Sequence, residues 1–276
     1  MKRGQFVQFN LIFVIIVGVV ILAFFLFFTS KYIDLQQKGE AAEIGRDMDN
    51  IMRGIKSTTQ HKNLSVVFNF NLLPNCEEII INGKFSQGVD SIFFAEPSTS
   101  KKLVFWSKDF RKPFRVDTLV FIIDNSKKYY STNPTFFPNF VNKGTANDYD
   151  VGVFFDATCP TSSPERRVLC VDSNNMVVDG RSFPFIDDVL VYGAAFSNVE
   201  QFECSFDRLT EKWANLFEIY SKKNEMLSSC TSVRIQIGEE LGNAFNSIDA
   251  GVYAIDDARL DNLNNQLSNF ECEVVY

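Results

Sequence analysis

Six cysteines, Cys76, Cys159, Cys170, Cys204, Cys230 and Cys272, are the side chains with the most chemistry open to them. Thiols can pair oxidatively, bind soft metals or act as nucleophiles. There is no Cys-x-x-Cys spacing, and His61 is the sole histidine, so a tetrahedral nitrogen–sulfur metal site lacks ligands. An even cysteine count instead fits disulfides formed in an oxidising compartment. A Ser-His-Asp triad would have to use His61. That residue lies in the polar link Thr58-Thr59-Gln60-His61-Lys62-Asn63 and reads as an exposed loop residue. Asp187-Asp188 and Asp256-Asp257 supply the paired carboxylates that glycoside chemistry needs, but adjacent acids read as solvated turns or helix faces. Asp172 to Gly180 is rich in oxygen ligands. It lacks the spacing and terminal Glu of an EF-hand and reads as a hairpin turn. No Walker-type phosphate loop occurs. Asn63-Leu64-Ser65 fits the N-glycosylation sequon, whereas Asn133-Pro134-Thr135 is barred by its proline. The expectation is a non-enzyme without cofactor or metal.

Composition narrows the partners. The 276-residue chain carries a net charge of −7 and has no basic stripe, which argues against nucleic acid. A hydrophobic content of 46% with 29 Phe is ample for a real core of one or two domains. The adjacent aromatic pairs Phe93-Phe94, Phe105-Trp106 and Phe154-Phe155 point to opposite faces of a strand. They therefore predict sheets buried on both sides.

These residues must be positioned by elements, and the first is at the N-terminus. Phe6 to Thr29 carries no charge, and Leu11 to Phe28 is apolar throughout. A bilayer core of about 30 Å needs about 20 such residues in a helix. The run is longer than a secretory h-region, and no small-x-small site follows it. It reads as a retained anchor over residues 1–30 with the lipid bilayer as its partner. Lys2 and Arg3 precede the span, which predicts a cytoplasmic N-terminus and an external chain from about residue 31.

Lys2-Arg3-Gly4-Gln5 followed by an apolar helix resembles the class III signal peptide of archaeal type IV pilin-like proteins. The resemblance covers about the first 30 residues. It implies cleavage between Gly4 and Gln5 on the cytoplasmic side, retention of the helix, and a homo-oligomeric or pilus-like assembly. Bacterial pilins carry Glu five residues into the mature chain, where this sequence has Phe9. An ordinary anchor with basic flanking residues is the alternative reading.

Residues 31–60 continue as a stalk. Ile44, Met48, Ile51, Met52 and Ile55 recur at helical spacing between charged residues, although Gly39, Gly45 and Gly54 each weaken a helix by about 1 kcal/mol. From 64 to 196 the period changes to two. Eight or nine mostly antiparallel strands are expected, including a hairpin at Asn82-Gly83 and a last strand over Asp188–Tyr192. Residues 197–276 return to helical spacing: about 198–228, with Ser197 and Glu200 as a capping box, then about 232–248 and 253–270. Packed up-down-up, these helices forbid a Cys204–Cys230 bond, because about 39 Å of helix separates the two. They bring Cys230 to Cys272. Cys159 and Cys170 bracket one loop, which leaves Cys76 with Cys204 by elimination. The fold class is α+β: transmembrane helix and stalk, antiparallel β-rich domain, antiparallel helical bundle. A membrane-anchored surface protein, pilin-like or pilus-associated, is the expected function. An anchored binding or adhesion module is the alternative, and a membrane-tethered hydrolase the remote one.

Overall fold

The computed structural model describes residues 3–58, 61–155, 159–160, 166–227, 229–253 and 255–276, without the side chains of 3–12, 67, 68 and 249. It is an α+β structure. The first element, α1 (Arg3–Lys56), is one unbroken helix of 54 residues, about 80 Å long at about 1.5 Å per residue. Its last four turns or so, from Ala41, lie on a six-stranded sheet. In chain order the strands of that sheet are β1 (Lys62–Asn75), β2 (Glu78–Ile81), β3 (Phe85–Gly88), β4 (Phe93–Phe94), β5 (Ser98–Arg111) and β6 (Arg115–Asp124). Their spatial order is β3-β2-β1-β5-β6-β4, antiparallel except for the β4–β6 pair.

A second sheet of five strands follows: β7 (Tyr129–Ser131), β8 (Val151–Phe155), β9 (Arg167–Val171), β10 (Asn175–Val178) and β11 (Arg181–Pro184). Here β7–β8 and β8–β9 are parallel. Four helices complete the chain: α2 (Asp188–Phe196), α3 (Val199–Met226), α4 (Thr231–Asp249) and α5 (Asp257–Asn269).

Strand periodicity explains the layering. Phe93 and Phe94 are both fully buried, but on opposite sides of the six-stranded sheet. Phe93 joins Ile44, Met48, Met52 and Ile55 of α1 in one core, together with Phe70, Leu72, Phe105 and Ile122. Phe94 joins the larger core, built from the second sheet and the later helices, with Phe121, Val153, Phe196, Phe202 and Trp213. The six-stranded sheet is therefore the middle layer, as the aromatic pairs predict. Asn82 and Gly83 both take positive φ at the β2–β3 turn, and Lys84 N donates to Ile81 O at 3.0 Å, as a turn twisted to match its strands requires. Asp179-Gly180 does the same between β10 and β11.

Four expectations are corrected. Asp188–Tyr192 is helix α2, not a strand. Nearly all of Val189 to Phe196 is buried, so the run shows no one-sided pattern, and periodicity cannot tell a short buried strand from a short buried helix. Asp187 decides it as N-cap, accepting from Val189 N at 2.7 Å. The cap of α3 is Asn198, whose side chain accepts from Gln201 N at 3.2 Å. Ser197 instead closes α2, its hydroxyl donating to Gly193 O at 2.6 Å. Finally, the described residues form eleven strands, paired mostly antiparallel as expected with three parallel pairs, and α5 starts only at Asp257 because Asp256 caps it.

Candidate functional site

The helix α1 has two halves with opposite environments. Over Phe13–Phe28 the large apolar side chains are exposed on every side of the helix; Phe13, Phe25 and Leu26 are each more than 60% exposed. A window of this segment reaches a mean hydropathy of 2.9, and α1 is the one helix among the described residues long and apolar enough to cross a membrane. Leaving a Leu, Ile or Phe side chain in water forgoes about 1.5–3 kcal/mol, so this half requires an apolar surrounding that the rest of the chain does not supply.

A charged collar follows. Lys31 Nζ lies 5.9 Å from the Phe27 ring centroid. Asp34 pairs with Lys84 at 2.5 Å and with Lys38 at 3.2 Å. The Lys84 hydrogen bond, then that of Lys38, holds the Asp34 carboxyl below its ordinary range. Beyond the collar, Ala41, Ile44, Met48, Met52 and Ile55 turn into the core. Gly45 is buried against the Phe85 ring, where a Cβ would come within 2.4 Å. The helix end is fixed by Ser107 Oγ, which donates to Ile55 O at 2.8 Å. Lys56 approaches Asp117 at 4.0 Å; burial pulls its pKa down, against the attraction of Asp117.

The structure pairs Cys76 with Cys204, Cys159 with Cys170 and Cys230 with Cys272, with Cα separations of 5.7, 5.9 and 6.4 Å. All three fall in the range that a disulfide spans. Cys76 lies in the β1–β2 turn and Cys204 in α3, so that bond crosses from the six-stranded sheet to the helices. Residues 161–165 of the loop closed by Cys159–Cys170 lie outside the described residues. The Gly4–Gln5 bond lies in the first turn of α1. Asn63 is exposed, on a stretch of β1 that pairs only with β5.

The acid pairs resolve into structural roles. Asp187 and Asp256 are N-caps of α2 and α5. Asp257 pairs with Lys112 at 2.9 Å; burial raises its carboxyl pKa, with the Lys112 hydrogen bond opposing. Asp172 closes the β9–β10 turn by accepting from Asn174 N and Asn175 N at 2.8 and 2.6 Å. His61 is exposed and stacks on Phe140 with ring centroids 4.3 Å apart.

No family model, curated protein or solved structure matches this chain. Among the described residues no group of three or more His, Cys, Asp or Glu is placed to hold a metal ion.

One cluster carried no signal in the sequence. Glu96, only 6% exposed, meets Lys127 at 2.8 Å and Arg167 at 3.2 Å. Arg167 also pairs with Asp179 at 3.3 Å and donates to Ala194 O at 2.5 Å. Its guanidinium thus ties the loop after β4, the β10–β11 turn and α2 to β9. The nearby Tyr129 hydroxyl is pushed well up, first by burial and then by the Glu96 charge. In sequence, Arg166-Arg167 looks like any solvated basic pair. The cluster is interior cross-linking between the two sheets, so the element with an unmet chemical demand remains the apolar half of α1.

Proposed function

We propose that the chain is a non-enzymatic, membrane-anchored cell-surface protein, in which α1 spans the bilayer with its N-terminal half and serves as a stalk with its C-terminal half. One observation carries this reading: a single continuous helix is uncovered over Phe13–Phe28 and buried on a sheet over Ala41–Ile55. An isolated anchor would not be continuous with a core helix. A core helix of a water-soluble protein would not leave so much apolar surface bare. The cysteine pairs beyond the span favour an external, oxidising side for the head.

The same plan supports the pilin-like form of the proposal. The class III-like start, Lys2-Arg3-Gly4-Gln5, supplies a route to it, with the mature helix beginning at Gln5 and copies assembling through their apolar halves. The test is intact-mass and N-terminal sequencing of the protein extracted from its native membrane. A chain beginning at Gln5, with filaments at the cell surface, is expected. A chain that keeps Met1 to Gly4 overturns the pilin-like form and leaves an ordinary anchor. Release of the protein by alkaline carbonate overturns the anchor itself.

A further inference from the structure

The packed pair α3 and α4 leaves an open groove of about 420 Å³ between them. Asp207, Glu211, Ala214 and Glu218 line the α3 wall, and their spacing of three and four residues puts them on one helical face. Phe245 and Ile248 of α4 form an apolar opposite wall, and Tyr253 adds its ring, with its hydroxyl turned to Thr210. Such a face, acidic at the rim and apolar at the base, is complementary to a cation on a hydrocarbon stem.

The charges around it are unbalanced. Glu218 pairs with Lys222 at 2.6 Å. Asp207 and Glu211 meet no cation among the described residues. Glu203 is neutralised by Arg181, and Lys212 is turned to Asp117 at 2.9 Å. Burial, then the Glu203 charge, raises the Asp207 carboxyl pKa.

We propose that this groove docks a basic segment of a partner protein, with one or more Lys or Arg side chains laying their stems along Phe245, Ile248 and Tyr253 and their charged ends between Asp207 and Glu211. Rim carboxylates of this kind steer a cationic partner and fix its register, while the apolar base rewards the stem.

The test uses the full chain in zwitterionic-lipid nanodiscs and hexalysine as the probe, followed by fluorescence anisotropy at fixed ionic strength. Binding of hexalysine is expected, and the double variant D207N/E211Q weakens it about tenfold, as loss of close opposite charges does. The control E43Q/D47N removes the same charge from the exposed side of α1 and leaves binding unchanged. The variant A214W fills the groove with all acids kept, and abolishes binding. Equal losses in the two charge variants, or full binding by A214W, overturn the proposal. Spermine binding as tightly as hexalysine, with the same response to both sets of variants, overturns the assignment to a protein segment.

Discussion

Asp187 and Asp256 show how one residue type serves opposite readings. A pair of adjacent acids is the raw material of acid–base chemistry, yet each first member here accepts from the backbone of a following helix, Val189 N at 2.7 Å and Arg259 N at 3.0 Å. Replacing Asp187 by Ala is expected to lower stability by about 1 kcal/mol, measured as a shift in the denaturant midpoint, and to leave the secondary structure unchanged. Asp257 makes a pH-dependent prediction. Its folded-state pKa lies above the ordinary 3.8, so the folded chain binds the proton more tightly than the unfolded chain between those two values. Stability therefore falls as pH rises through that window. In Asp257→Asn the fall is absent, so the variant's melting temperature rises relative to the parent's as pH rises through that window. A difference that shrinks over this range would show that the Lys112 ion pair outweighs burial.

At the scale of elements, α1 is legible over most of its length. The apolar run marks its first half, and the helical recurrence of Ile44, Met48, Met52 and Ile55 marks the face that packs. In sequence, Gly45 reads only as a weakness of the helix. Its reason lies in β3, because the Phe85 ring occupies the space where a Cβ would be. Gly45→Leu is expected to force that ring and the β2–β3 hairpin away from the stalk. Over-packing of this kind costs about 1–3 kcal/mol, and hydrogen exchange should show the loss first in β2 and β3. The helix α2 was illegible for the opposite reason. Its side chains are buried on all sides, so the pattern that separates helix from strand is absent, and only the cap at Asp187 reveals it.

At the scale of the molecule, the three cysteine pairs enclose very different loops. Cys76 and Cys204 are 128 residues apart, Cys230 and Cys272 are 42 apart, and Cys159 and Cys170 are 11 apart. Loop-closure entropy then ranks their stabilisation at about 5, 4 and 3 kcal/mol in that order. Paired Cys→Ser variants, compared by chemical denaturation, should lose stability in the same order. The first pair should matter most, because it closes the longest loop and joins the β1–β2 turn to α3. Glu96 and Arg167 form a second joint between the sheets. Glu96→Ala leaves the Arg167 charge with Asp179 as its remaining carboxylate partner, so it should cost less than the about 3–5 kcal/mol of stranding a buried charge without any partner. Glu96→Gln should cost less, since the amide oxygen still accepts.

The sequence by itself determined what depends on local pattern: the apolar length of the first segment, the period of each region, the turns at Asn82-Gly83 and Asp172–Asn175, and the positions of the three C-terminal helices to within a few residues. These follow from side-chain periodicity and from backbone conformations that only certain residues adopt. The tertiary structure alone decided what depends on residues distant in the chain. It set the strand order, the parallel pairs of the second sheet and the burial of Glu96 with Arg167. It also set the split of Phe93 and Phe94 between two cores, and the groove between α3 and α4. A contact across 71 residues, such as Glu96 with Arg167, leaves no local trace in either segment, because each side chain alone is an ordinary surface charge until the fold brings the other to it.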